Sequence, residues 1–164
     1  GLDEYWLNEA KTFNETTRIM IGEIENKIKT IIADNLQDYF GDAWLVKGLP
    51  KNIYTKAKKL ADDRMYDLKM NDIDAEDVDI WDFVALADCQ SIVLTGKNWS
   101  IFFEDLLVRP EEVRIAGGKE AKTQWILRMS AIKNKLAKDS YSVPVDEYSY
   151  VKSVYDWIMD MLIL

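Results

Sequence analysis

Apolar positions recur at helical spacing along nearly the whole chain, and no stretch alternates with period two for long enough to make a strand. From Asp3 to Tyr39, Leu7, Ala10, Ile21, Ile24, Ile28, Ile31 and Leu36 form one stripe, and Gly41 offers a C-terminal stop. Asn14 to Thr17 (NETT) is poor helix former, so the pattern predicts either a short lead-in helix before a long one or a single bent helix. Gly41 to Pro50 is a connector whose Trp44 and Leu45 tuck against the helices. Pro50 suits the first turn of the next helix, where its missing N–H would have had no partner. That helix, Lys51 to Leu68, presents Ile53, Ala57, Leu60 and Met65 on its apolar side.

The acidic run Asn71 to Asp79 (NDIDAEDVD) breaks the period and supplies N-caps and negative charge to a helix over Ile80 to Leu94. There the expected stripe is Trp81, Val84, Ala85, Cys89 and Ile92, with Asp82 and Asp88 outside it and Gly96 as the cap. A short helix from Asn98 to about Val108 stops at Pro110, and Arg109 to Lys119 is a loop. After a turn at Asp139 to Pro144, a last helix from Val145 to about Ile163 buries Tyr148, Val151, Tyr155, Ile158 and Leu162. The predicted fold class is all-α, an up-and-down helical bundle of four to five main helices plus short ones, in a single domain over residues 1-164.

The most informative segment is Trp125 to Ser140, WILRMSAIKNKLAKDS. On a helix, Trp125, Met129, Ile132 and Leu136 share a face and are expected in the core. Nearly opposite lie Leu127, Ser130, Asn134 and Lys138, with Lys133 on the flank. That second face is a catalytic site, a partner surface or a solvated one.

Composition narrows the choice. With 164 residues, 48% hydrophobic and 30% charged, the chain has ordinary globular character and enough length to bury about two thirds of its unfolded surface. Six Trp and eight Tyr imply a thick core, apolar surface held for a partner, or both. A net charge of −8 and a pI near 4.6 disfavour nonspecific binding to nucleic acid or to an anionic membrane.

Cys89 is the one cysteine and histidine is absent. These facts remove an internal disulfide, the usual general base and any ordinary zinc site. The acidic start has no signal-peptide pattern, and WIMDMLIL is too short to span a bilayer, so the expectation is a cytoplasmic protein without membrane attachment. The sequons at Asn14 and Asn98 are then chance matches. Gly1 reads as a cloning remnant, and the chain begins and ends inside helical pattern, as a domain cut from a larger protein would.

Three further motifs weigh little. Lys56, Lys58 and Lys59 read first as a solvated helix face. A calcium loop starting at Asp72 would place Asp77 where glycine is required and Phe83 where glutamate is required, which rejects it. Gly117-Gly118 has neither the strand nor the Gly-Lys-Ser/Thr ending of a phosphate loop.

The order of motifs is more specific than any one of them. Tyr5-Trp6-Leu7 opens a long helix, Gly41-x-x-Trp44 closes it, Trp81-Asp82-Phe83-x-x-Leu86 and Asn98-Trp99-x-x-Phe102 follow, and a later helix ends in Ile132-Lys133-Asn134-x-x-x-Lys138. This order resembles the HEPN superfamily (higher eukaryotes and prokaryotes nucleotide-binding), in a bacterial branch similar to the C-terminal domain of an mRNA-surveillance endoribonuclease. The resemblance covers nearly the whole chain. It implies a four-to-five-helix bundle, often a homodimer, whose active members carry Arg-Asn-x-x-x-His facing across the dimer cleft to cut RNA without metal.

Carried onto this chain, the arginine falls on Lys133, the polar residue on Asn134 and the histidine on Lys138, so both catalytic positions are changed. A lysine of ordinary pKa, about 10.4, is almost wholly protonated at neutral pH and is a poor base. It also lacks the planar fork with which arginine grips phosphate. The expectation is therefore a non-catalytic HEPN-like domain with no cofactor and no metal. It would act as a dimerisation or partner-docking module through Lys133, Asn134, Lys138, Leu127 and Ser130, beside a linked or associated effector in a prokaryotic defence or conflict system. The alternatives are RNA or nucleotide binding with weak metal-independent endoribonuclease activity through Lys133, Asn134 and Lys138, and an unrelated helical bundle.

Overall fold

The weak-helix stretch Asn14 to Thr17 does not interrupt the first helix, because its polar side chains have other partners. Thr17 is fully buried and donates its Oγ1 hydrogen to the Phe13 carbonyl at 2.6 Å, within the same helix. Asn14 is turned to a distant backbone: Nδ2 donates to the Tyr141 carbonyl at 2.7 Å and Oδ1 accepts from the Val143 N–H at 2.8 Å. Helix α1 therefore runs unbroken over Leu2–Phe40, 39 residues, or about 58 Å at 1.5 Å per residue.

The computed structural model describes residues 4–5, 9, 11–73 and 78–161 in full and residues 2, 3, 6–8 and 10 in backbone only. The expectations for Leu7, Ala10, Asp77, Leu162 and Ile163 thus lie outside the described residues. The α-helices after α1 are α2 (Trp44–Gly48), α3 (Lys51–Met70), α4 (Leu86–Leu94), α5 (Lys119–Lys122), α6 (Gln124–Leu136) and α7 (Val145–Asp160). Among the described residues there is no strand, and the chain is all-α as the periodicity predicts. No helix there is long and apolar enough to cross a membrane.

Contacts gather the chain into two compact units, Ile32–Leu106 and a second made of Gly1–Ile31 with Leu107–Leu164. The contiguous unit is built from the end of α1 through α4 and the segment after it. Gly41, at φ 66°, ends α1 as expected, since glycine takes the left-handed conformation at little cost. Trp44 is buried edge-on against Trp81, ring centroids 5.2 Å apart. Gly48 lies close against the buried Leu36, whose side chain would have to shift for a Cβ there, 2.9 Å from Cδ1. Pro50 caps α3 as predicted, its carbonyl accepting from the N–H groups of Ile53 and Tyr54.

The buried stripe of α3 is Ile53, Ala57 and Ala61, one residue per turn, whereas the expected Leu60 is 42% exposed beside it. Its lysines face outward, Lys58 pairing with Asp62 one turn on at 2.8 Å. Asp72 takes φ 54° just past the end of α3. The N–H of Ile73 reaches the Leu68 carbonyl at 2.8 Å and that of Asp72 reaches Lys69 at 3.2 Å, which is a Schellman closure. Asp72→Gly is expected to raise stability by about 0.5–1 kcal/mol, because glycine takes that conformation without the Cβ penalty. A urea midpoint that stays put or falls would reject the assignment.

The helix predicted from Ile80 begins later. Asp79 accepts from the Trp81 N–H and starts a single 3-10 turn over Ile80–Phe83, then Val84 and Ala85 turn extended before α4. Trp81, Val84, Cys89 and Ile92 are buried as expected, whereas Ala85 is exposed and Leu86 takes its place. The expected helix from Asn98 is one π turn, Trp99–Phe103.

In the discontinuous unit, α6 places Trp125, Ile126, Met129, Ile132 and Leu136 in the core. Trp125 stacks edge-to-face on Trp157 of α7 at 5.2 Å and donates from Nε1 to the Leu107 carbonyl at 3.0 Å. From α7, Val151, Val154 and Ile158 are fully buried, while Tyr148 and Tyr155 are only half so. Tyr148 packs edge-on against Phe13 of α1, 4.9 Å between centroids.

Candidate functional site

α6 ends at Leu136, two residues before the expected end at Lys138, and this changes the geometry of its second face. Ala137 still has helical dihedrals, but Lys138 lies in the turn beyond. Lys138 is therefore not one turn along the helix from Asn134. The end is fixed from α1: Arg18 Nη2 donates to the Leu136 carbonyl at 3.0 Å. A cation on a free C-terminal carbonyl satisfies the acceptor and complements the helix dipole.

Lys133 is held as well. Its Nζ lies 3.0 Å from both Oε1 and Oε2 of Glu25 on α1, with the Glu25 side chain 20% exposed and that of Lys133 51%. Arg18, Ile21 and Gly22 of α1 face Lys133, Leu136 and Ala137 across a cleft of about 220 Å³. The cleft walls are mostly apolar, and both cations at its rim are already engaged.

The other predicted residues divide by position. Leu127 and Ser130 are half-buried, and Asn134 and Lys138 are exposed with no side-chain hydrogen bond or ion pair among the described residues. The structure thus brings Leu127, Ser130 and Asn134 onto one helix and separates Lys138 from them by the helix end. What this arrangement offers is a mixed apolar and polar surface beside one neutralised cation.

Just past this turn, the Tyr141 hydroxyl donates to Glu147 Oε1, and Lys135 meets the other oxygen of that carboxylate at 3.5 Å. Burial, and then the bond to Glu147, push the Tyr141 phenol up to about 12. The hydroxyl thus stays a donor throughout the neutral range.

A second polar cluster was not foreseen. Arg109 is buried, and its Nη1 meets Glu112 Oε1 at 3.3 Å, while Nη2 donates to Ser153 Oγ at 3.0 Å and lies 3.6 Å from Glu111 Oε2. Its guanidinium is 5.1 Å from the centre of the Tyr150 ring, and Arg128 approaches that ring at 3.7 Å. Burial raises the Glu112 carboxyl above its usual range against the opposing pull of Arg109, and burial raises the Tyr150 phenol too. The signal in the sequence was Arg109-Pro-Glu-Glu112, an i, i+3 charge pair on a proline-started 3-10 turn. No family model, curated protein or solved structure matches this chain.

Proposed function

We propose that this chain is a non-catalytic, HEPN-like helical module that pairs with a second copy of itself through the α6 face bearing Leu127, Ser130 and Asn134, with Lys138 at its edge. The observation that carries the reading is the Lys133–Glu25 pair. At the position where the resemblance puts a catalytic arginine, the cation is neutralised by both oxygens of a carboxylate from its own chain. A phosphate approaching Lys133 meets the anionic Glu25 carboxylate beside it, and the two negative charges repel. Leu127 adds a partly uncovered apolar side chain to the same face, which suits an interface core with a polar rim.

Light scattering tests the pairing. The wild type is expected at twice the 19.0 kDa chain mass and Leu127→Asp at that of one chain; an equal mass for the two proteins rejects the interface. No turnover of single-stranded RNA is expected at neutral pH, and cleavage abolished by Lys138→Ala would favour the ribonuclease reading. Gain of cleavage in the Lys133→Arg, Lys138→His double variant would show a retained ribonuclease geometry.

A further inference from the structure

The contiguous unit carries a second cleft, of about 240 Å³, lined by Tyr39, Phe40, Ile101 and Phe102 with Lys47 and Lys97 beside them. It shares no residue with the α6 face. Tyr39 remains 60% exposed and Ile101 46%. The Tyr39 ring meets Phe40 and Phe102 edge-to-face, with centroids 4.9 and 5.3 Å apart. The rim is held in place rather than loosely draped: buried Asn98 donates from Nδ2 to the Gly48 and Ile92 carbonyls, each at 2.9 Å.

Charge is the second observation. The chain has 29 Asp and Glu against 21 Lys and Arg, yet Lys47 and Lys97 make no ion pair among the described residues. Two uncommitted cations beside an exposed aromatic cluster suit a ligand that is apolar at its centre and anionic at its edge.

We propose that this cleft docks a short acidic segment of a partner protein, with one aromatic side chain entering among Tyr39, Ile101 and Phe102 and flanking carboxylates meeting Lys47 and Lys97. Size favours a single ring, since the cleft is smaller than the roughly 300–1,000 Å³ of small-molecule sites. Ring geometry agrees, because aromatic side chains pack well edge-to-face on such a cluster. A nucleic-acid strand fits less well, as a chain of net charge −8 repels a long polyanion, while two rim cations are sufficient to steer a short acidic peptide.

The test is selection of a displayed library of random short peptides on the whole chain, followed by anisotropy titration of the enriched peptide. Enrichment of an aromatic residue flanked by Asp or Glu is expected, with affinity falling about tenfold or more in Lys47→Glu, Lys97→Glu and again in Tyr39→Ala. Lys47 and Lys97 are exposed and without ion pairs among the described residues, so the circular dichroism melt of the lysine variant should match the wild type. Its affinity decides the test if Tyr39→Ala, which loses two ring contacts, melts lower. Enrichment without acidic residues, equal affinity for the lysine variant, or competitive displacement of the peptide by oligouridine would each overturn the proposal, the last in favour of nucleic acid.

Discussion

Arg109→Met is expected to cost about 3–5 kcal/mol of folding stability at neutral pH, the range for removing one partner of a buried ion pair. The Arg109 side chain keeps 7% of its exposure and that of Glu112 14%, so the carboxylate left behind has little water to turn to. The variant also removes the Arg109 bond to Ser153 Oγ, which keeps its bond to the Tyr150 carbonyl.

The pH dependence has a definite sign. Burial already raises the Glu112 carboxyl while Arg109 lowers it, and removing Arg109 leaves the raising influence unopposed. An acid whose folded pKa is raised is penalised above that value and relieved as it takes up a proton, so the deficit of Arg109→Met should shrink as the pH falls toward the ordinary glutamate value of 4.5.

Arg109 Nε and Glu112 Oε2 are buried without hydrogen-bond partners, which makes the native pair an expensive one. Arg109→Met with Glu112→Leu should therefore recover most of the loss. Urea denaturation at several pH values measures all of this. A loss under about 1 kcal/mol that does not change with pH would show that the pair contributes little.

Trp125→Ala should remove about 3–5 kcal/mol, as large-to-small changes at a closed aromatic site do. Trp125 is 1% exposed, and its ring fills the space between α6 and Trp157 with no solvent side on which to collapse. Trp125→Phe separates the two contributions: it keeps much of the ring but leaves the Leu107 carbonyl without its donor, at about 1–3 kcal/mol. Urea midpoints at constant slope report both values. Equal losses for the two variants would assign the effect to the hydrogen bond alone.

The stripe Trp125, Met129, Ile132 and Leu136 was legible because burial at a 3.6-residue period writes itself into one window of sequence. Gly41 and Pro50 were legible because each has one backbone preference that dominates its position. The end of α6 was legible only to within two residues, from the turn expected at Asp139, since Ala137-Lys138 contains no glycine or proline. What stabilises that end comes from Arg18 and Asn14, more than a hundred residues earlier in the chain. The same distance hid the pairing of Lys133 with Glu25. Local conflicts were missed for a different reason: Leu60 is more apolar than Ala61, yet Ala61 continues the four-residue spacing of Ile53 and Ala57 and is the one buried.

The division of the chain also fixes an order of events during synthesis. The unit Ile32–Leu106 is one unbroken stretch, whereas its neighbour combines Gly1–Ile31 with Leu107–Leu164. Every residue of the contiguous unit exists once Leu106 has been made. The beginning of α1 must wait, and until α6 and α7 emerge from the ribosome its Ile21, Ile24 and Ile28 have no native core to enter. Asn14 cannot reach Tyr141 before that residue exists. The segment Gly1–Ile31 is thus made well before the residues it packs with, and its apolar stripe needs shielding from neighbouring nascent chains in the interval.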